Sequence, residues 1–334
     1  MTAQATKVSS EPPAGDEVAN DDLPPEHLVL GRVGSENFPV ASRFLPAGVR
    51  ADLMALYGWA RLVDQLGDDY PGDRLSALRV IEGQLNAALA GRPVTGTHPL
   101  VARIAEVARR LDLPSEPLLD LVEANRRDQA ISRYDTFADL VDYCRLSANP
   151  VGRTVLAIFG LSTPERVSWS DSICTGLQLT EHCQDVAEDF LVGRVYLPLE
   201  DLERFLVSVE ELSPPPTGYV DRRRKDAPGG ASSRVRALMA FEVARARRML
   251  DDGIPLAASV GGRFSIAVAG FVAGGHAALD AIAAVDFDPF AYPMKRSGVR
   301  FGAHMLRQLV GTARLGRRPL GGLPGAPPPP EGAR

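Results

Sequence analysis

Apolar residues recur three and four positions apart along most of the chain, which is the spacing of one buried helix face. Leu53, Leu56, Tyr57, Ala60 and Val63 trace one such face, and Leu78, Ile81 and Leu85 trace a second. Val101, Ile104 and Val107 trace a third. The two-residue alternation of strands is nearly absent. Start and stop residues punctuate the pattern. Asp73 opens a helix that runs towards Gly91, Thr97 is read as the cap before His98-Pro99, and Ser115 opens the next run. Thr163-Pro164-Glu165 sets a cap before a proline at the first helical position, and one long helix follows from there to Asp189. Another spans Ser233 to Asp252 and stops at Gly253. The pattern predicts a single all-α domain of about ten helices over residues 25–312.

Both ends fall outside this pattern. Residues 1–24 are polar and acidic, and residues 313–334 are rich in Pro and Gly, so both are expected to be disordered tails. Residues 213–233, with Pro214–Pro216 and the basic run Arg222–Lys225, read as a flexible solvated loop. Phe264 to Val285 is long enough to cross a bilayer but carries His276 and Asp280, and it reads as a buried core helix.

Charge narrows the function. The chain has 37 basic and 42 acidic residues, a net charge of −5. That deficit sits in the acidic N-terminal stretch, and the remainder is balanced. Nucleic acid is therefore not the expected partner, because phosphate contacts need a basic excess. Three cysteines without a CxxC pair fit a reducing compartment, and no apolar leader opens the chain. A cytoplasmic location follows, with peripheral contact at the inner face of the cell membrane.

Two helical segments place carboxylates four residues apart: Asp64 with Asp68, and Asp185 with Asp189. That spacing puts both acids of a pair on one face, one turn apart. Like charges so placed repel by a few tenths of a kcal/mol, so something else should hold them. A hard divalent cation does this well, since Mg²⁺ takes oxygen ligands and is shared between one or two carboxylates and a substrate's phosphates. Gln178 and Glu181 extend the stripe of Asp185 and Asp189. Arg61 lies one turn before Asp64, within reach of a phosphate oxygen. A di-iron bundle is excluded because no histidine follows a Glu-x-x pattern, and no phosphate-loop, dinucleotide or nucleophile-elbow motif is present.

These blocks resemble the squalene/phytoene synthase family over nearly all of residues 34–300. The matching stretches are Ser35-Glu36-Asn37-Phe38-Pro39-Val40, Leu56-Tyr57 through Arg61 to Asp64-x-x-x-Asp68, and Arg133-Tyr134-Asp135-Thr136-Phe137. Tyr143 to Gly152, including Asn149, and Gly176 to Pro198, including Gln178, Gln184 and Arg194, complete the match. The resemblance implies an all-α bundle of the class I isoprenoid synthase type. It implies two or three Mg²⁺ ions held by Asp64, Asp68, Asp185 and Asp189, with Glu181 as a further oxygen donor. Tyr57, Phe38 and Tyr143 would line the cavity, and Asp128 would sit at its mouth. Asn37, Arg61, Asn149, Gln178 and Arg194 fall among the substrate-binding positions.

Within the family, the Glu-Asn-Phe-Pro-Val and Ser-Ala-Asn-Pro segments resemble the hopanoid-associated hydroxysqualene synthases. Glu36, Glu181 and Gln184 stand where condensing relatives carry a basic residue, an asparagine and an arginine. Fewer cations suit one diphosphate better than two. The implied reaction is ionisation of presqualene diphosphate and capture of the cation by water, with no NADPH. Aromatic faces such as Phe38, Tyr57 and Phe271 would stabilise that cation. Neighbouring enzymes of squalene and hopanoid synthesis are the implied partners. A synthase condensing two prenyl diphosphates and a non-catalytic assembly factor are the alternatives.

Overall fold

The computed structural model describes residues 22–32, 45–92, 95–216, 230–291, 303–305 and 308. Among these residues there is no strand, only an isolated parallel bridge between Arg133 and Val195. The helices are α1 (Glu26–Val29), α2 (Ala47–Asp68), α3 (Arg74–Leu89), α4 (Pro99–Leu111), α5 (Glu116–Arg127), α6 (Phe137–Ser147) and α7 (Asn149–Ile158). They continue as α8 (Pro164–Gln184), α9 (Val186–Leu191), α10 (Leu199–Arg204), α11 (Ser233–Asp252), α12 (Pro255–Val260) and α13 (Gly262–Ala284). Asn37 and Phe38, and Glu36 beside them, lie outside the described residues. So do residues 1–21, 217–229 and 313–334 of the expected tails and loop.

The apolar stripes assemble into two cores. Helices α2 to α5 bury Trp59, Leu62, Ile81 and Ile104 completely, and the Trp59 indole donates to the Leu118 carbonyl at 3.1 Å. Burying one such side chain stabilises by about 1.5–3 kcal/mol. The second core joins α6 to α13. Leu250 of α11 fits against Gly176 of α8 and Gly275 of α13, where an added Cβ would meet its side chain at 3.0 Å and 2.7 Å. Those two glycines set the close approach of three helices. Val155 and Phe159, on α7 and at its end, pack against both cores.

Most expected caps are in place. The Asp73 carboxylate accepts from Ser76 N–H, and the Thr163 hydroxyl accepts from Arg166 N–H. Two expectations need correction. The cap of α4 is His98, not Thr97: its Nδ1 accepts from Leu100 N–H, and its own N–H donates to Gln84. The long helix from Thr163 does not run unbroken to Asp189. The backbone leaves helical geometry at Asp185 (φ −103°, ψ 11°), and α9 begins afresh. Acids are disfavoured at a helix C-terminus and favoured in a first turn. The break moves Asp189 from the end of a long helix into the first turn of a short one. The Asp189 N–H still donates to the Asp185 carbonyl at 2.8 Å, so the one-turn spacing survives.

By length and composition α13 could cross a membrane, but 67% of its most apolar window is buried against the rest of the protein.

Candidate active site

Helix α2 ends on its acids, so Asp64 and Asp68 occupy the last turn where the helix dipole opposes them. The second pair brackets the α8–α9 break. Arg194 ties the two arms together. Its guanidinium donates to Asp68 at 2.9 Å, its backbone N–H donates to the Asp189 carbonyl at 2.8 Å, and its charge also acts on Asp189 and Asp128. Gly193, at φ +82°, makes the left-handed turn that delivers it. Glu181 acts electrostatically on both Asp64 and Asp189, which places it at the same convergence.

The acids are uncomfortable there. Burial, then the Asp68 charge, pushes the Asp64 carboxyl up to about 7, while Arg61 and a hydrogen bond from Asn125 pull the other way. Burial and the neighbouring Asp185 push Asp189 up to about 7. Asp128 rises to about 6, chiefly through burial, although the Tyr143 hydroxyl donates to it at 2.7 Å. The Arg194 guanidinium is held above its ordinary range despite burial, through Tyr196 and Asp68.

An aromatic wall backs the acids. The rings of Tyr143 and Tyr134 lie 5.2 Å apart, and Tyr196 stacks on His182 at 3.9 Å. Burial pushes His182 down to about 3, so it is neutral at physiological pH. Gln178 Nε2 lies 3.4 Å from His182 Nε2. The Asn149 side chain is buried and accepts from the Thr175 hydroxyl at 3.0 Å.

The donor set fits a divalent cation and an anion together. Carboxyls that burial and mutual repulsion hold near neutrality gain most from a positive ion. The buried Arg61 Nε has no hydrogen-bond partner among the described residues, which suits a phosphate oxygen. Among the described residues, no three His, Cys, Asp or Glu side chains lie close enough together to form a ready-made metal cage. Mg²⁺ sites seldom need one, because waters and substrate phosphates complete the shell.

Below the acids lies an apolar cavity with about 850 Å³ of empty space, including its opening. Leu53, Val155, Phe159, Cys174, Phe264 and Phe271 are among its lining. Leu53 precedes Asp64 by eleven residues on α2, and Cys174 precedes Asp185 by the same interval on α8. Eleven residues are close to three turns and about 16 Å, so cavity and acids share one face of each helix.

Of the sequence-derived site residues, Asp64, Asp68, Asp189, Glu181 and Arg194 converge at one end, joined by Arg61 and by Asp185 through its effect on Asp189. Phe271 lines the cavity. Tyr57 lies partly buried on α2, one turn past Leu53 and two turns before Asp64. Sequence reasoning missed Asn125, which supports Asp64, and the Tyr196–His182 stack. Asn125, Asp128 and Gln129 sit three and four residues apart around the end of α5, a polar stripe that could have flagged them. Gly67 is their complement, since a Cβ there would lie 2.0 Å from the Asn125 side-chain oxygen.

A profile of squalene/phytoene synthases matches residues 32–303. The hydroxysqualene synthase of Zymomonas mobilis is 36% identical over 171 residues, which are 50% of this chain and 56% of that relative. The chain thus spans little more than half the length of that relative. The phytoene synthase of Arthrospira platensis is 30% identical over 238 residues, 66% of this chain and 72% of the relative. The crystal structure of a squalene synthase from Alicyclobacillus acidocaldarius superposes with a TM-score of 0.69 at 37% identity, covering 81% of this chain and 99% of that one.

Proposed function

The chain belongs to the squalene/phytoene synthase family, and from that premise we propose that it converts presqualene diphosphate to hydroxysqualene in squalene and hopanoid synthesis. One observation carries the reading: the paired acids stand on the same helix faces as a long apolar cavity. That arrangement grips a charged head and buries a hydrocarbon tail. Similarity to hydroxysqualene synthases supports the choice within the family.

Asp64, Asp68, Asp185 and Asp189, with Glu181 beside them, would hold Mg²⁺, which when bound supplies charge neutralisation for the leaving diphosphate. Arg194 and Arg61 orient the phosphate oxygens. The C–O bond breaks, and diphosphate leaves with the electron pair. The cation then lies against Phe271 and the apolar wall, where water is scarce. One water adds its oxygen to the rearranged cation and releases a proton. No hydride donor enters this balance, so NADPH is not required.

A head-to-head condensing synthase is the second reading, favoured by the similarity to phytoene synthases. It must hold two polyanions, and Gln184 and Glu181 bring no positive charge to the second arm. The purified protein is given presqualene diphosphate, Mg²⁺ and ¹⁸O-labelled water. An alcohol carrying the label is expected without NADPH. Squalene formed only with NADPH, or presqualene diphosphate or phytoene formed from prenyl diphosphates, would replace this reading with the second.

A further inference from the structure

Hydroxyls inside these helices usually satisfy themselves. Thr154 on α7 donates to the Pro150 carbonyl at 2.8 Å, Thr180 on α8 donates to Gly176 at 2.7 Å, and Ser172 donates to Ser168 at 3.1 Å, each one turn back along its own helix. Ser147, the last residue of α6, does not. Its Oγ is buried and has no hydrogen-bond partner among the described residues. A buried hydroxyl left in that state is costly unless a water completes it. Two other unpartnered atoms have different surroundings: Arg61 Nε stands at the acids, and the Tyr134 hydroxyl lies in the aromatic wall.

The Ser147 hydroxyl stands at a border. Tyr143, Ser147, Val151 and Val155 follow one another at four-residue intervals. Ala148, between the two helices, keeps right-handed helical backbone (φ −111°, ψ −48°) and its N–H bond to the Cys144 carbonyl, so the four share one stripe. At one end Tyr143 donates to Asp128, and at the other Val151 and Val155 line the apolar cavity. Ser147 lies one turn, about 6 Å, from both Tyr143 and Val151. Across the chamber, Tyr143 lies 6.5 Å from His182 and Asn149 is bonded to Thr175, so α6 and α8 run antiparallel and Ser147 is level with Gln178. Seven residues, about 10 Å, separate Gln178 from Asp185. That interval takes a metal-bound diphosphate and brings the carbon it leaves down to the level of Ser147.

The neighbouring polar groups are already engaged. Asn149 Oδ1 accepts from Thr175, the Tyr143 hydroxyl donates to Asp128, and the His182 ring is stacked on Tyr196.

We propose that the Ser147 hydroxyl holds the water that captures the rearranged cation. This rests on the reading that presqualene diphosphate is ionised at the acids. Ser147 Oγ accepts a hydrogen bond from the water, and the Gln178 side chain is its second contact, which leaves a water lone pair for the cation. That pair forms the new C–O bond, and the extra proton passes to the diphosphate, which has already left with its own electron pair. Without a held water, the cation loses a proton from a neighbouring carbon to the same diphosphate, and the product is a hydrocarbon.

The test compares Ser147→Thr with Ser147→Val, side chains of nearly equal shape of which only one carries a hydroxyl, beside Ser147→Ala. Each purified protein is given presqualene diphosphate, Mg²⁺ and ¹⁸O-labelled water. Diphosphate release is timed, and labelled alcohol and hydrocarbon are quantified by mass spectrometry. The native protein and Ser147→Thr give chiefly labelled alcohol. Ser147→Val and Ser147→Ala release diphosphate within about threefold of the native rate, while their ratio of alcohol to hydrocarbon falls by about tenfold or more. The Thr and Val pair decides if the alanine variant folds poorly. Crystals of the native protein show an ordered water on Ser147 Oγ that Ser147→Val lacks. An unchanged ratio in the folded Val and Ala variants, equal losses in Thr and Val, a native ratio with slowed diphosphate release, or a native crystal without that water overturns the role of Ser147 alone. A native protein that releases no diphosphate from presqualene diphosphate, or yields squalene only with NADPH, overturns the substrate reading and this inference with it.

Discussion

Asp64 and Asp189 are held where a carboxylate is ill at ease, partly buried and beside a second acid. Removing one of these charges should relieve the fold and disable the chemistry together. Asp64→Asn is expected to stabilise the metal-free protein by about 1–2 kcal/mol, read as a higher melting temperature, while turnover falls by orders of magnitude. Thermal melts without Mg²⁺ and a product assay with it check both halves. Gly67→Ala acts through a neighbour: the new Cβ displaces the Asn125 amide from Asp64. Turnover should fall by roughly tenfold or more while circular dichroism stays native. The aspartates were legible in the sequence because four-residue spacing is a local signal. Asn125 was not, because its importance comes from a glycine 58 positions away. His98 was passed over as a cap because imidazole seldom takes that role.

Among the elements, the tie between α10 and α11 makes a pH-dependent contribution. Arg245 bonds both Asp201, at 2.6 Å, and Glu242, at 2.9 Å, in a buried triad stacked on Phe137 and Phe241. One guanidinium cannot neutralise two carboxylates. Burial, with the Asp201 charge adding to it against Arg245, pushes the Glu242 carboxyl up to about 8. Folded protein therefore keeps a proton that the unfolded chain releases near the ordinary value of 4.5. The stability from this group is fully present below that value and is lost as the pH rises through about 8. Glu242→Gln removes the titration, so its melting temperature should gain on the native protein between pH 5 and pH 9, as calorimetry across that range would read. The long helices were legible from periodicity, whereas the six-residue helices α9, α10 and α12 are too short to show one. The break at Asp185 was not, since it answers to charges brought together by α2 and the turn at Gly193.

For the whole molecule, the fold class followed from the absence of strand alternation, and the identity of the acid end from two pairs of residues. The cavity was not legible, because its walls come from Leu53, Val155, Cys174 and Phe264 on four helices, each an ordinary core position in sequence. Two bulk properties can be checked. Excess EDTA should abolish turnover, and Mg²⁺ should restore it. Leu191 and Val192, 70% and 71% exposed, stand two and three residues past Asp189, and we propose that this patch meets the membrane. The double change Leu191→Asp with Val192→Asp should weaken co-sedimentation with anionic vesicles, leaving turnover of detergent-dispersed substrate within twofold.

The interruption at Asp185 has a consequence for amide exchange. A six-residue helix is too short to persist by itself, and α9 inherits no continuous ladder from α8. Its amides should trade protons with solvent through a local opening that leaves residues 164–184 protected. A cation bridging Asp185 and Asp189 to α2 would close that opening. Deuterium uptake over 186–192 should therefore slow when Mg²⁺ and a bisphosphonate are added together, while α8 keeps its rate, so the order of this one turn reports whether the head of the substrate is in place.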